Sequence, residues 1–119
     1  MLKEKEYFCS KGNTNEFITF QFDKEYCFSK IIILYPDSYK KARLKQYSII
    51  GYDRKGNYLK TCDFTNDGEN DFEFKIINLS MDLKAAYLKL ELSKNFGEEY
   101  FCIKKIQFFA DITHSLTTE

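Results

Sequence analysis

The chain has no tryptophan, a single histidine, a single proline and no net charge; 18 basic residues balance 18 acidic ones. Each shortage excludes something. The one histidine, His114, lies in the C-terminal tail, away from all four cysteines. A cysteine nucleophile needs a base beside its thiol, and structural zinc usually draws its ligands in close pairs. Cys9, Cys27, Cys62 and Cys102 form no CxxC pair, so neither chemistry is expected. One proline and five glycines in 119 residues argue against disorder. Zero net charge removes any whole-domain pull towards nucleic acid or anionic membrane. No apolar run approaches the ~20 residues of a membrane helix. The charged start Met1-Leu2-Lys3-Glu4-Lys5-Glu6 has no apolar segment of a secretory signal. With no signal, and with apolar or aromatic flanks, the cysteines are read as reduced core thiols of a cytoplasmic or nuclear protein, two disulfides being the alternative.

What is present is aromatic weight: 12 Phe and 9 Tyr, 18% of the chain. Such side chains favour sheets over helices. The length fits one domain over 1–119, with a core at about 7–110 and a flexible tail at 111–119. Short apolar runs alternate with polar turns. Residues 17–22 read as a strand with Ile18, Phe20 and Phe22 on one face. Residues 28–35 are apolar on both faces, as in a central strand, and Pro36 stops them. A strand at 44–53 carries Tyr47 and Ile49 on one face. It is followed by a hairpin turn at Asp53-Arg54-Lys55-Gly56-Asn57 and a return strand at 58–64. Phe72, Phe74 and Ile76 alternate with Glu73 and Lys75. A connector at 80–84 reads as a single helical turn. Leu88, Leu90 and Leu92 alternate clearly, and the last strand shifts phase between Ile103 and Ile106 as a β-bulge would. About seven or eight strands with no helix of length predict an all-β, antiparallel jelly-roll sandwich.

Three segments resemble the galactose-binding-like jelly-roll superfamily, which includes discoidin and coagulation-factor C-type domains, related carbohydrate-binding modules, and the DOC domain of the anaphase-promoting complex. They are Tyr7-Phe8-Cys9-Ser10-Lys11-Gly12 leading into 17–22, residues 31–34 followed by 45–52, and residues 87–92 with 103–109. The resemblance implies fold more strongly than ligand. It departs from the family where Phe8 stands for the usual tryptophan and where the further N-terminal segment is short or missing. DOC domains carry an Asn-His-x-Asn-Gly type of last loop; Lys94-Asn95-Phe96-Gly97-Glu98-Glu99 keeps only an Asn and a Gly. The Ile-Arg tail is replaced by Thr117-Thr118-Glu119.

If consecutive strands alternate in direction, the segments 10–16, 37–43, 66–70 and 94–98 share one end of the sandwich. They bring together Tyr39 and Phe96, the cations Lys40, Lys41 and Arg43, and the amides Asn13, Asn66 and Asn95. Exposed aromatics with cations and amides are what a recognition surface uses. Alanine at Tyr39, Arg43, Asn95 and Phe96 is therefore expected to weaken binding and leave the fold intact. The carboxylates Glu98-Glu99 and Asp67 with Glu69 read as solvated loop acids, and Asn66, Asp67, Glu69 and Asp71 as a turn rather than a calcium loop. No metal, no cofactor and no catalysis are expected. The expected function is a binding module, first an intracellular protein-protein adaptor of DOC-like type in a larger assembly such as a ubiquitin ligase. A carbohydrate-binding module is the alternative. A lipid or nucleic-acid contact through 37–43 stands third.

Overall fold

The computed structural model describes residues 3–12, 16–66, 74–79 and 83–110, with the backbone alone for 3–7. Seven strands occupy most of this: β1 (Lys3–Cys9), β2 (Glu16–Leu34), β3 (Leu44–Tyr52), β4 (Tyr58–Thr65), β5 (Phe74–Asn78), β6 (Lys84–Asn95) and β7 (Cys102–Ala110). The one helical element among the described residues is a 3-10 turn at Lys40–Ala42. The all-β expectation holds. All pairings are antiparallel, in the order β1-β7-β2-β6-β3-β4, with β5 also paired to β2.

Residues 17–22 and 28–35, read from sequence as separate strands, are arms of the single 19-residue β2. The first arm pairs β6 from Glu16 opposite Leu92 to Cys27 opposite Lys84. The second pairs β7 and β5, with Ile31 between Phe108 and Ile77. Two four-stranded sheets result, β2-β6-β3-β4 and β1-β7-β2-β5, sharing one strand. The register breaks between Gln21 and Tyr26, where β2 turns the corner, as bulged strands do. The Tyr26 hydroxyl donates to Asp23 Oδ1 at 2.6 Å beside that corner.

Period two then places the core. Ile18 and Phe20 from the first arm face Ile31, Ile33, Ile106 and Phe108 across the sandwich, and Leu88, Leu90 and Ile49 complete the layer. Phe108 joins the sheets most directly, with its ring centroid 4.5 Å from Phe20 and 5.4 Å from Phe22. Gly51 marks a close approach: a Cβ there would lie 2.7 Å from Leu83 Cδ1 and 3.2 Å from the Ala85 Cβ. The hairpin turn is as read from sequence. Gly56 takes φ 87°, and the Asp53 carboxylate accepts from Lys55 N and Asn57 N at 2.9 and 2.8 Å.

Three points differ from the sequence reading: two concern strands and one the cysteines. Phe74 and Ile76 lie on the outer face, 53% and 45% exposed, while Ile77 is buried; β5 has the opposite phase to the one its alternation implied. The Ile103–Ile106 phase change involves no bulge in β7, which keeps one register against β1 from Cys102 to Phe108. The irregularity is on β2, between Phe28 and Lys30. Third, Cys9 and Cys102 are a register pair, 4.3 Å apart at Cα, and form a disulfide. Reduced thiols are found only at buried Cys27 and half-buried Cys62. The connector at 80–84 lies largely outside the described residues.

Candidate binding site

The β1–β2, β2–β3 and β6–β7 connections, with Asn66 after β4, meet at one end of the sandwich, as strand alternation predicted. Hydrogen bonds tie them together. Ser10 N donates to Phe101 O at 2.9 Å, and Phe101 N donates back to Ser10 Oγ at 2.9 Å. Gly12 N donates to Glu16 Oε1 at 3.0 Å. Phe96 N donates to Lys41 O at 2.9 Å and joins the β6–β7 loop to the β2–β3 loop. Asn66 N donates to Lys45 O at 2.7 Å.

The β2–β3 loop shapes the surface. Pro36 ends β2, and Tyr39 opens the 3-10 turn with φ 61° and ψ 42°. This left-handed conformation is uncommon outside glycine and asparagine, and its cost has to be met by surrounding contacts. Ala42 N donates to Tyr39 O at 2.9 Å, and buried Ala42 anchors the turn. Tyr39 is thereby held outward, 49% exposed, its ring edge-on to Tyr100 at 6.0 Å. Lys40 and Lys41 beside it are exposed.

Arg43 is not part of that surface. It is 1% exposed, its Nη2 donates to Pro36 O at 3.0 Å, and its guanidinium sits 5.3 Å from the Tyr35 ring. The alternation of β3 starts one residue later at buried Leu44, and Arg43 points inward under the loop it holds. Asn66 is also buried. Asn95 is half-buried and fully engaged. Its Nδ2 donates to Glu98 O and Tyr100 O at 2.9 and 2.8 Å, and its Oδ1 accepts from Gly97 N and Glu98 N at 3.0 and 3.2 Å. A primary amide has two donors and one acceptor oxygen; Asn95 spends them all on the β6–β7 loop. Phe96 is half-buried, with Lys45 Nζ 5.8 Å from its ring. Asn13 lies outside the described residues, as do Asp67, Glu69 and Asp71 of the loop read as a turn.

Of the eight residues expected to bind, Tyr39, Lys40 and Lys41 form a contiguous exposed group, Phe96 flanks it, Arg43 and Asn95 support the loops from below, and buried Asn66 is tied to Lys45. The quadruple alanine variant expected to spare the fold would remove two of those supports. Sequence reasoning missed Tyr100 and Lys45. Tyr100 stands just before β7 in sequence, and the loop fold fixed by Asn95 brings it to Tyr39. Below this end lie Tyr35 and Tyr47, whose burial raises both hydroxyl pKa values, that of Tyr47 to about 12. Among the described residues no cluster of three or more His, Cys, Asp or Glu could hold a metal ion, and no helix is long and apolar enough to cross a membrane.

No curated protein sequence matches the chain. Solved structures do. The lectin domain of Lectinolysin complexed with Lewis B antigen superposes with a TM-score of 0.70 at 13% identity, over 88% of this chain and 72% of that one. The Clostridium perfringens module CpGH89CBM32-5, in complex with GalNAc-β-1,3-galactose, gives 0.73 at 18% identity, over 87% and 75%. The family 32 carbohydrate-binding module of C. perfringens NanJ, in complex with galactose, gives 0.70 at 15% identity, over 87% and 76%. These likenesses establish the galactose-binding-like jelly-roll fold, and the proteins that share it here are binding modules. The sequence profile of the Sad1/UNC-like C-terminal family matches residues 4–111. Because that match takes in every described strand but the first residue of β1, the chain belongs to the Sad1/UNC-like C-terminal family.

Proposed function

We propose that this chain is a non-enzymatic binding module whose ligand is a protein segment docking on the loop end around Tyr39, Lys40 and Lys41. The observation that carries this is the division of labour there. A sugar site needs rigid, convergent polar groups beside an aromatic platform. Among the described residues, the two groups best suited to supply them are committed elsewhere: Arg43 is buried against Pro36 O, and Asn95 is bound to its own loop. What faces outward is an aromatic ring held by a strained backbone, with two lysines on flexible stems. An outward tyrosine suits a protein contact, where aromatic side chains are enriched and anchor the binding, and lysines at its rim steer a partner of opposite charge. A DOC-like role in a ubiquitin ligase is a narrower version of this reading, supported by the fold resemblance alone and opposed by the Cys9–Cys102 disulfide, which favours an oxidising compartment.

A glycan ligand is the second reading, favoured by the sugar-bound neighbours of the same fold. The compartment is part of the proposal. We infer an oxidising one, supported by the Cys9–Cys102 bridge, since disulfides persist in such compartments and are rare in the cytosol and nucleus.

The test is a paired one. Tyr39→Ala combined with Lys41→Ala leaves Arg43 and Asn95 in place, so the fold is expected to survive, as circular dichroism would show. Affinity capture from native extract should return a stoichiometric protein that this variant loses. Equal capture by both forms, with galactose-terminated glycans bound by the wild type alone, would replace the protein reading with the glycan one.

A further inference from the structure

The triplet Asn78-Leu79-Ser80 is the only Asn-X-Ser/Thr sequence in the chain, which has seven asparagines. Such a triplet is an acceptor signal for N-glycosylation only where its asparagine is reached from outside, in a chain that passes through a secretory compartment. Asn78 ends β5 opposite Lys30 of β2, and it is exposed. Directly after it, Leu79 is buried and its N donates to Ser29 O at 2.9 Å. The acceptor therefore stands at a fixed point on the surface. The Cys9–Cys102 disulfide supplies the compartment argument independently.

Period two puts Ile76 and Phe74 on the same outer face as Asn78, about 7 and 14 Å back along the strand. Both are exposed, and half-buried Ile32 and Leu34 lie opposite them on β2. Among the described residues β5 is an edge strand, paired only with β2. An exposed apolar edge is a liability that soluble proteins cover or charge, yet the residues presented outward here are phenylalanine and isoleucine. We propose that Asn78 carries an N-linked glycan, and that this glycan lies over Phe74 and Ile76 and covers the β5 edge.

In the transfer, Asn78 Nδ2 bonds to the anomeric carbon of an oligosaccharide carried as a lipid diphosphate. The carbon–oxygen bond to the diphosphate breaks, the diphosphate leaves with the electron pair, and the amide proton passes to solvent. The enzyme is the membrane glycosyltransferase of the secretory compartment, and no oxidant or reductant is consumed.

The experiment uses the full-length protein purified from its own cells. Treatment with an N-glycan amidase in oxygen-18 water converts an occupied asparagine to labelled aspartate. Trypsin then releases residues 76–84, bounded by Lys75 and Lys84. Labelled aspartate at position 78 is expected, and it should be absent from Asn78→Gln. If that variant fails to fold, Ser80→Ala keeps the asparagine and must lose the label equally. An unlabelled peptide from the wild-type protein overturns the site. For the cover, removal of the glycan from the folded protein should raise binding of an apolar dye, and Phe74→Ser with Ile76→Ser should cancel that rise. Dye binding unchanged by removal of the glycan overturns the cover.

Discussion

Buried side chains beneath the loop end set how the molecule responds to alkali. Tyr35 and Tyr47 start from an ordinary hydroxyl value of 10.0, and burial raises both, Tyr47 to about 12. In the unfolded chain both hydroxyls ionise near 10; in the folded chain they stay protonated well above it. Between those values the folded state binds more protons than the unfolded state, so stability falls as pH rises. Their contribution is fully present below pH 10 and is lost as pH climbs towards 12. Alkaline unfolding is thus expected to begin above pH 10, with tyrosinate absorbance from the buried pair appearing together with loss of the β-sheet circular dichroism signal. Tyr47→Phe should move that midpoint to higher pH. A tyrosinate signal from these residues at pH 10 in a fully folded protein would show that their burial is less complete than their packing implies.

The disulfide belongs to the scale of elements. Among the described residues β1 is an edge strand held only by β7, and Cys9–Cys102 closes that pair across a separation of 93 residues. The chain-entropy model gives about 4–5 kcal/mol for a loop of that size, before any relaxation of the reduced state. Cys102→Ala, or a thiol reductant, should lower the denaturation midpoint and release the β1 amides to hydrogen exchange first, while β3 and β6 stay protected. None of this was legible in the cysteine spacing, because a pair 93 residues apart becomes neighbours only through the β1–β7 register. The same limit explains the other misreadings. The Leu88-Leu90-Leu92 alternation was legible because β6 is a central strand whose core face is set by period two. The facing of β5 was not legible, because its outer face carries Phe74 and Ile76 and hydrophobicity alone would turn them inward. Arg43 was read as solvated since nothing local announces that Pro36 O and the Tyr35 ring wait for it. Tyr39, Lys40 and Lys41 were legible, since a polar loop after Pro36 has to lie at the surface.

At the scale of the whole molecule, β2 makes the two sheets one cooperative unit. Its first arm is hydrogen-bonded into one sheet and its second into the other, and the interior between them is filled by Phe20, Phe22, Phe28 and Phe108. The Phe108 ring lies 4.5, 5.4 and 6.5 Å from the other three. Removing it leaves a cavity that β2 cannot close from either side, because both arms are fixed by their neighbours. Phe108→Ala should therefore cost about 3–5 kcal/mol, the range for a large aromatic lost from a packed core. Denaturant titration measures that cost; the location of the loss tests the cooperativity. If the sheets unfold together, amides of the distant β3–β4 hairpin should exchange faster in Phe108→Ala by the same factor as those of β7, since both exchange through one global opening. If only β1, β5 and β7 speed up while β3 and β4 keep their protection, the corner at Gln21–Tyr26 is a hinge between two separately stable sheets, and the shared strand does not transmit the damage.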